Sequence, residues 1–137
     1  MPTKSVLLVD DNAVVRFSVR RLFESQPDFE ISGEAENGSE AVEQAEKLKP
    51  DLIILDLIMP VMNGLDAAPL LKKLLPDTPI ILFTQEHATQ VERLAQAADI
   101  DAVVSKSEAA SDLVFKAQAL LASTEQEHDP ARFRNAS

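Results

Sequence analysis

Short apolar runs that end in a polar residue recur along the chain and constrain its fold more than any other feature. Three of them, at residues 6–9, 52–55 and 80–83, are apolar throughout. Uninterrupted runs of this length are typical of strands buried on both faces, because a half-buried strand alternates apolar with polar side chains. A weaker run at 102–104 and an alternating segment at 29–35 predict two further strands, which makes five.

Segments with helical spacing separate and follow these strands. In each, apolar residues recur at intervals of three or four, which predicts a helix with one buried face. The five segments span 15–23, 41–48, 65–75, 91–98 and 113–121. The fourth segment is poor in large apolar side chains, so we expect its helix to be the most loosely held.

The ends and outer faces of these helices carry recognisable signals. Asp11 or Asn12 is available to cap the first helix, and Ser39 is expected to cap the second after an Asn37-Gly38 turn. Pro69 lies inside the third segment and predicts a kink or a late start there, since proline lacks the backbone N–H. Three arginines, Arg16, Arg20 and Arg21, are expected on the solvated face of the first helix.

Strand and helix alternate five times, which calls for a parallel sheet covered on both faces. The sequence therefore predicts an α/β fold: a flavodoxin-like, doubly wound sheet of five parallel strands with five helices. Only the second strand has the alternation of an edge, which fits the strand order 2-1-3-4-5. Residues 1–123 are predicted to form this domain, and residues 124–137 a flexible C-terminal tail or the start of a linker.

Composition excludes several classes of function. The chain has 23 acidic and 13 basic residues and a formal net charge of −10, which disfavours direct binding to nucleic acid or to an anionic membrane. Cysteine is absent, so a disulfide framework, a thiolate metal site and a cysteine nucleophile are excluded. No apolar run is long enough to span a bilayer. A cytoplasmic location is expected.

Polar residues follow the apolar runs at the points where chemistry is expected. Asp10 and Asp11 come directly after the first strand and Asp56 after the third, while Thr84 ends the fourth and Lys106 follows the fifth. The carboxyl ends of parallel strands meet at one edge of a doubly wound sheet, where such folds bind ligands. These five residues are therefore predicted to form a single site.

Three carboxylates in one place repel one another unless they share a cation. Oxygen ligands suit Mg²⁺ better than zinc, so the predicted cofactor is Mg²⁺. A metal ion there could offset the charge of a phosphoryl group, with Asp56 as the nucleophile that forms an acyl phosphate. Lys106 would supply a positive charge, and the hydroxyl of Thr84 could donate a hydrogen bond to a phosphoryl oxygen.

The stretches 7–12 and 56–64, together with Thr84 and Lys106, resemble the signature of response-regulator receiver domains. The resemblance covers roughly residues 4 to 122. It implies that Asp11 and Asp56 coordinate Mg²⁺ with the backbone carbonyl of Ile58, and that Asp10 acts through metal-bound water. It further implies a sensor histidine kinase or phosphotransfer protein as the phosphoryl donor, and output through the fourth helix, fifth strand and fifth helix by a phosphorylation-dependent homodimer. The stretch 104–108 resembles receivers that carry a helix-turn-helix output domain.

Several positions depart from the receiver pattern. Val103 stands where the family usually has a Tyr or Phe that switches rotamer, so we expect the signal to pass through Thr84 and the loop ahead of the fourth helix. Ser107 replaces the proline of the usual Lys-Pro pair, and Gln85 is bulkier than the small residue usual there. Ile58 and Glu86 occupy positions that modulate dephosphorylation, and an apolar Ile58 predicts slow self-dephosphorylation because it cannot orient water.

Each candidate residue also has a simpler interpretation. Asp11 could only cap a helix, Thr84 could only cap a loop, and Lys106 could be a solvated surface lysine. Their joint occurrence at matching strand ends favours a functional site.

Three alternative functions compete with that of a phosphorylated switch. A phosphatase of the haloacid dehalogenase type needs an acid two residues after its nucleophile, where Ile58 lies. Flavodoxin shares the predicted topology, but Asp10 and Asp11 would repel a flavin phosphate. The remaining alternative is a receiver-shaped protein-interaction module that no longer depends on phosphorylation, which the residues at 85, 103 and 107 favour.

Overall fold

The computed structural model describes residues 3–85, 89–108 and 110–127. Five strands and five helices alternate along the described chain. They are β1 (Lys4–Val9), α1 (Ala13–Glu24), β2 (Phe29–Ala35), α2 (Gly38–Leu48), β3 (Leu52–Leu55), α3 (Gly64–Leu74), β4 (Ile80–Thr84), α4 (Thr89–Ala97), β5 (Ala102–Ser105) and α5 (Ala110–Glu127). In this part of the chain, no helix has the length and apolar character needed to cross a membrane.

All five strands are parallel and form one sheet in the order β2-β1-β3-β4-β5. This confirms the predicted flavodoxin-like α/β fold and its strand order. The three central strands are aligned at their carboxyl ends: Val9 of β1 lies opposite Leu55 of β3, and Leu55 lies opposite Leu82 of β4. The residues that follow these strands therefore emerge at the same edge of the sheet.

The central strands are apolar throughout because they are buried on both faces. Leu7, Ile53 and Leu82 point into one core, which α2, α3 and α4 cover. Leu8, Ile54 and the other strand residues that alternate with the first set point into a second core, which α1 and α5 cover. Period-2 alternation along each strand thus fills two separate cores.

Asparagine caps the first three helices. The side-chain oxygens of Asn12, Asn37 and Asn63 each accept a hydrogen bond at 2.9 Å from a backbone N–H in the first turn of α1, α2 and α3. The predicted cap of α2, Ser39, is wrong: it lies inside the helix, because Asn37 accepts the first-turn bond two residues earlier. Asn12, not Asp11, caps α1, so capping does not account for Asp11.

Two helix boundaries differ from the sequence prediction. Helix α3 begins at Gly64 and continues through the exposed Pro69, so the predicted late start is wrong. Two contacts with residues that precede the helix fix its start: the Asn63 cap and the hydrogen bond from the N–H of Gly64 to the carbonyl of Leu57 (2.8 Å). Helix α5 continues to Glu127, past the predicted boundary at 123, and the rest of the predicted tail lies outside the described residues.

Candidate functional site

Asp10 follows β1 and is fixed by hydrogen bonds from several directions. Its N–H donates to the carbonyl of Ala35 on β2 (3.0 Å), and its Oδ1 accepts from the N–H of Asn12 (2.9 Å). Its own carbonyl accepts a bond of 2.6 Å from Nη1 of Arg16. Asp10 is only 5% exposed, whereas its neighbour Asp11 lies open to solvent. The turn after β1 therefore presents one buried and one accessible carboxylate.

Asp56 follows β3 and lies beside Asp10. Its N–H donates to the carbonyl of Val9 (2.9 Å), its Oδ1 accepts from the N–H of Leu57 (2.8 Å), and it is 6% exposed. One carboxylate oxygen from each of Asp10, Asp11 and Asp56 lies within 4.8 Å of the other two. The aligned ends of β1 and β3 thus bring together three acids that are up to 46 residues apart in sequence.

Lys106 supplies the positive charge in this cluster. Its Nζ donates to Oδ2 of Asp10 at 2.8 Å and lies 3.4 Å from Oδ2 of Asp56. The same Nζ lies 6.0 Å from the centre of the Phe83 ring. Its backbone N–H donates to the carbonyl of Thr84 (2.9 Å), and Thr84 is buried at the end of β4. The turn after β5 is therefore joined to the end of β4, and its lysine reaches two of the acids.

Burial and charge shift the ionisation of both partners. Desolvation by burial, together with the charge of Asp10, raises the pKa of Asp56 from 3.8 to about 6, although Lys106 and the Leu57 N–H act in the opposite direction. Burial lowers the pKa of Lys106, but its hydrogen bond to Asp10 and the charges of Asp10 and Asp56 outweigh burial and raise it. At neutral pH the site therefore holds a poorly solvated carboxylate beside a firmly protonated lysine.

The donor set fits a hard divalent cation. Three carboxylates face a single ammonium group, so the cluster retains negative charge that a divalent ion can neutralise. All the candidate side-chain ligands are oxygen atoms, which Mg²⁺ prefers, and the exposed Asp11 leaves one side open to water. Ile58 lies in the loop after Asp56 with a side chain that is 63% exposed, and its role as a carbonyl ligand stays a prediction.

Residues 6–118 match the family described as the response regulator receiver domain, which is most of the chain. The chain belongs to this family. The match confirms the resemblance noted in the sequence and identifies the fold as that of a signalling protein.

Individual relatives agree with this assignment. The chain is 42% identical, over 85% of its length, to a Pseudomonas aeruginosa protein named as a transcriptional regulator, and the match covers 56% of that protein. It superimposes on a LuxR-family two-component response regulator from an Aurantimonas species with a TM-score of 0.85 and 30% identity, covering 89% of this chain and 87% of that one. A LuxR-family DNA-binding response regulator from Staphylococcus aureus gives a TM-score of 0.81 at 27% identity, over 86% and 98% of the two chains. The receiver spans about half the length of the curated relatives it matches.

The loop between β3 and α3 holds the receiver's Asp56 by close backbone packing. A Cβ on Gly64 would lie 2.3 Å from the carbonyl oxygen of Asp56, so only glycine fits at this approach. Val61 in the same loop has a φ of 69°, which is unusual for a β-branched residue, and the N–H of Met62 donates across it to the carbonyl of Pro60 (2.7 Å). The loop next to the acids is therefore tightly constrained and locally strained.

Arg16 is a residue of the receiver site whose position sequence reasoning missed. Its spacing predicts a place on the solvated face of α1, but its side chain is only 12% exposed. Besides the Asp10 carbonyl, it contacts Glu34 at 3.0 Å and Glu36 at 3.5 Å, and Arg20 also pairs with Glu34. The prediction is wrong for Arg16 because β2 and the turn that follows it place two acids beside α1. No local signal in α1 reveals this contact.

The departures from the receiver pattern have structural counterparts. Val103 is half-buried on β5, opposite Leu82, and Gln85 is exposed directly after β4. The peptide bond between Lys106 and Ser107 is trans. Glu86 and the rest of the predicted moving loop, residues 86–88, lie outside the described residues. Their predicted roles in dephosphorylation and signalling stay predictions.

Proposed function

We propose that this receiver domain is a phosphorylation-activated signalling switch that accepts a phosphoryl group on Asp56 in a Mg²⁺-dependent reaction. One observation carries the proposal: Asp56 is buried at the carboxyl edge of the sheet, flanked by two further carboxylates and by the ammonium of Lys106. This combination provides a nucleophile, a set of metal ligands and a counter-charge in one place.

Phosphoryl transfer needs little covalent chemistry from the protein. An oxygen of the Asp56 carboxylate attacks the phosphorus of a phosphohistidine. The bond from phosphorus to the imidazole nitrogen breaks as the new bond to oxygen forms, and that nitrogen, which keeps the electron pair, then takes a proton from solvent. The chain's own contribution is to position Asp56 through the hydrogen bonds from its N–H to Val9 and from Leu57 to Oδ1.

The other residues of the site have separate tasks in this proposal. Asp11 and Asp56, with the carbonyl of Ile58, would hold Mg²⁺, and the carboxylate of Asp10 would act on the ion through water. When bound, the ion offsets the negative charge that gathers on the phosphoryl oxygens. Lys106 supplies a second positive charge, and the buried Thr84 donates its hydroxyl to a phosphoryl oxygen.

Membership of the family supports the proposed partners. The phosphoryl donor is a sensor histidine kinase or a phosphotransfer protein in the cytoplasm, and the domain catalyses only its own phosphorylation and dephosphorylation. Output leaves through α4, β5 and α5 as a phosphorylation-dependent homodimer. A net charge of −10 argues against direct contact with nucleic acid through this chain. Any DNA-binding activity, for which the Staphylococcus aureus relative is named, would belong to a region outside this receiver domain.

Self-dephosphorylation is proposed to be slow. Hydrolysis of the acyl phosphate requires a water molecule held in line with the breaking bond. The side chain two residues after Asp56 is that of Ile58, which is exposed and cannot donate or accept a hydrogen bond. Gln85, which lies exposed directly after β4, is proposed to restrict access of water to the phosphorylated side chain further.

Intact-mass measurement tests the proposal directly. Incubation with acetyl phosphate and Mg²⁺ should add the mass of one phosphoryl group to the wild-type chain. Asp56→Asn and the addition of a chelator should each abolish the gain. Asp77→Asn, which makes the same chemical change on an exposed loop, should leave the gain intact. An unchanged wild-type mass, or a phosphoryl group that persists in Asp56→Asn, would contradict the proposal.

The second candidate is a receiver-shaped interaction module that no longer depends on phosphorylation. Val103 favours it, because a short side chain on β5 cannot make the rotamer switch that an aromatic residue makes. A beryllofluoride titration with Mg²⁺, followed by amide chemical shifts, separates the two functions. Shifts confined to the loops around the acids favour the module, whereas shifts that spread to α4 and β5 favour the switch.

A further inference from the structure

Lys106 is presented by a tight turn that directly follows β5. The N–H of Glu108 donates to the carbonyl of Ser105 (3.0 Å), which closes a four-residue turn with Lys106 at its second position. The N–H of Lys106 donates back to the carbonyl of Thr84. The backbone from which the lysine side chain starts is therefore fixed on both sides.

The side chain of Ser105 lies inside this turn. Its Oγ accepts the N–H of Ser107 (3.2 Å) and lies 2.7 Å from the hydroxyl of Ser107. Ser105 is 5% exposed, and Ser107 lies at the surface. The buried hydroxyl thus satisfies a backbone donor two residues later, an arrangement that serine commonly uses to fix a turn.

This contact requires a residue other than proline at position 107, because the donor is the backbone N–H. A proline there would have no N–H, and no acceptor would be needed. With Ser107, the turn carries an additional donor, and a donor without an acceptor in a partly buried turn is costly. Ser105 is the residue that provides the acceptor.

We propose that Ser105 is a positioning residue, whose buried hydroxyl holds the turn that delivers the ammonium of Lys106 to Asp10 and Asp56. The inference rests on the proposed function, because the task of Lys106 in phosphoryl transfer belongs to that proposal. Lys106 reaches Asp10 at 2.8 Å and Asp56 at 3.4 Å, so a small displacement of the turn removes it from hydrogen-bonding distance of both. Displacements of about 1 Å in a catalytic arrangement can lower rates a hundredfold.

Two serine variants separate the buried hydroxyl from the exposed one. Ser105→Ala removes the acceptor, and we expect it to slow phosphorylation by acetyl phosphate at least about tenfold. Ser107→Ala keeps the backbone N–H that Ser105 accepts, and it should stay within about twofold of the wild-type rate. Ser105→Thr retains a hydroxyl at the same place and should recover most of the rate lost in Ser105→Ala.

Two further readouts distinguish positioning from general loss of structure. The Mg²⁺ concentration that gives half the maximal rate should change less than about twofold in Ser105→Ala, because the Ser105 hydroxyl makes its hydrogen bonds to Ser107 and is not among the three carboxylates of the cluster. Hydrogen exchange at the Ser107 amide should become faster, and the circular dichroism spectrum should match that of the wild type.

Each outcome of this experiment has a separate meaning. A wild-type chain that takes no phosphoryl group overturns the proposed function, and this inference with it. A phosphorylated wild type with faster exchange at Ser107 but an unchanged rate in Ser105→Ala overturns the positioning role alone. Equal rate losses in Ser105→Ala and Ser105→Thr would also overturn it, because the retained hydroxyl would then have no effect.

Discussion

The buried carboxylate of Asp56 makes the stability of the metal-free protein depend on pH. Its pKa rises from 3.8 to about 6 on folding, so the folded state binds this proton more tightly than the unfolded state does. The stability that the proton contributes is fully present below pH 3.8 and is lost as the pH rises through about 6. A shift of about two pKa units corresponds to about 3 kcal/mol, and the near-complete burial of the group leaves little solvent screening to reduce it.

Asp56→Asn removes this titration while keeping the shape of the side chain. Without Mg²⁺, we expect the variant to be more stable than the wild type by about 2–3 kcal/mol above pH 7, where the wild type holds a buried charge. Lys106 keeps its hydrogen bond to Asp10 in the variant, so it is not left unpaired. The difference should disappear as the pH falls toward about 4, because Asp56 is then neutral in the folded wild type.

Urea unfolding followed by circular dichroism measures this difference. The chain has no tryptophan or tyrosine, so the helical signal is the appropriate probe. Unfolding curves with a chelator present, at several pH values between about 4 and 8, give the free energy of unfolding for each variant. Asp77→Asn, which replaces an exposed loop carboxylate, is the matched control and should follow the wild type at every pH.

Two outcomes would refute this reasoning. If the difference between Asp56→Asn and the wild type stayed constant across the pH range, the titration of Asp56 would not be its cause. If Asp56→Asn were less stable than the wild type at neutral pH, the attraction of Lys106 would outweigh burial and the charge of Asp10. Added Mg²⁺ provides an internal check, because it should stabilise the wild type more than the variant.

Three further predictions concern neighbouring residues. Val61→Asn should raise the free energy of unfolding by about 1 kcal/mol, because asparagine tolerates positive φ and the exposed valine contributes little burial; a loss of stability would contradict the inferred strain. Arg16→Met should lower the free energy of unfolding by about 2 kcal/mol, because Glu34 and the Asp10 carbonyl lose a half-buried partner. The same change at the exposed Arg21, Arg21→Met, should alter the free energy of unfolding little. Ile58→Asn should shorten the lifetime of phosphorylated Asp56, measured by intact mass over time; an equal or longer lifetime would count against the role given to Ile58.

The sheet and the acid cluster could be predicted because both depend on short-range patterns. Runs such as 52–55 are apolar throughout only if both faces are covered, which indicates a parallel sheet, and the order of the elements then limits the topology. Once the strands are parallel, residues such as Asp10 and Asp56 must emerge at the same edge. No knowledge of packing was required for this step.

Contacts between segments that are distant in sequence determine the features that the sequence alone could not predict. Ser39 and Asn37 are both good helix caps, but the N–H of Gly38 donates to the carbonyl of Met62 at 3.0 Å, which favours a helix start at Gly38. Arg16 has the periodicity of a solvated residue, yet β2 brings Glu34 beside it. The hydroxyl of Ser105 likewise gains its role only from the turn that forms around Lys106.

The charges of the cluster explain why metal binding and phosphorylation should depend on each other. Three carboxylates and one lysine leave excess negative charge, so the cluster becomes neutral when it holds a divalent cation. Phosphorylation of Asp56 adds negative charge beside the same ligands, and a bound cation lowers its cost. Because coupling between two ligands is reciprocal, a phosphoryl group or its beryllofluoride mimic must then tighten the binding of Mg²⁺ by the same factor by which Mg²⁺ tightens the binding of the mimic. Equal Mg²⁺ affinities with and without beryllofluoride would show that Lys106 alone balances the added charge.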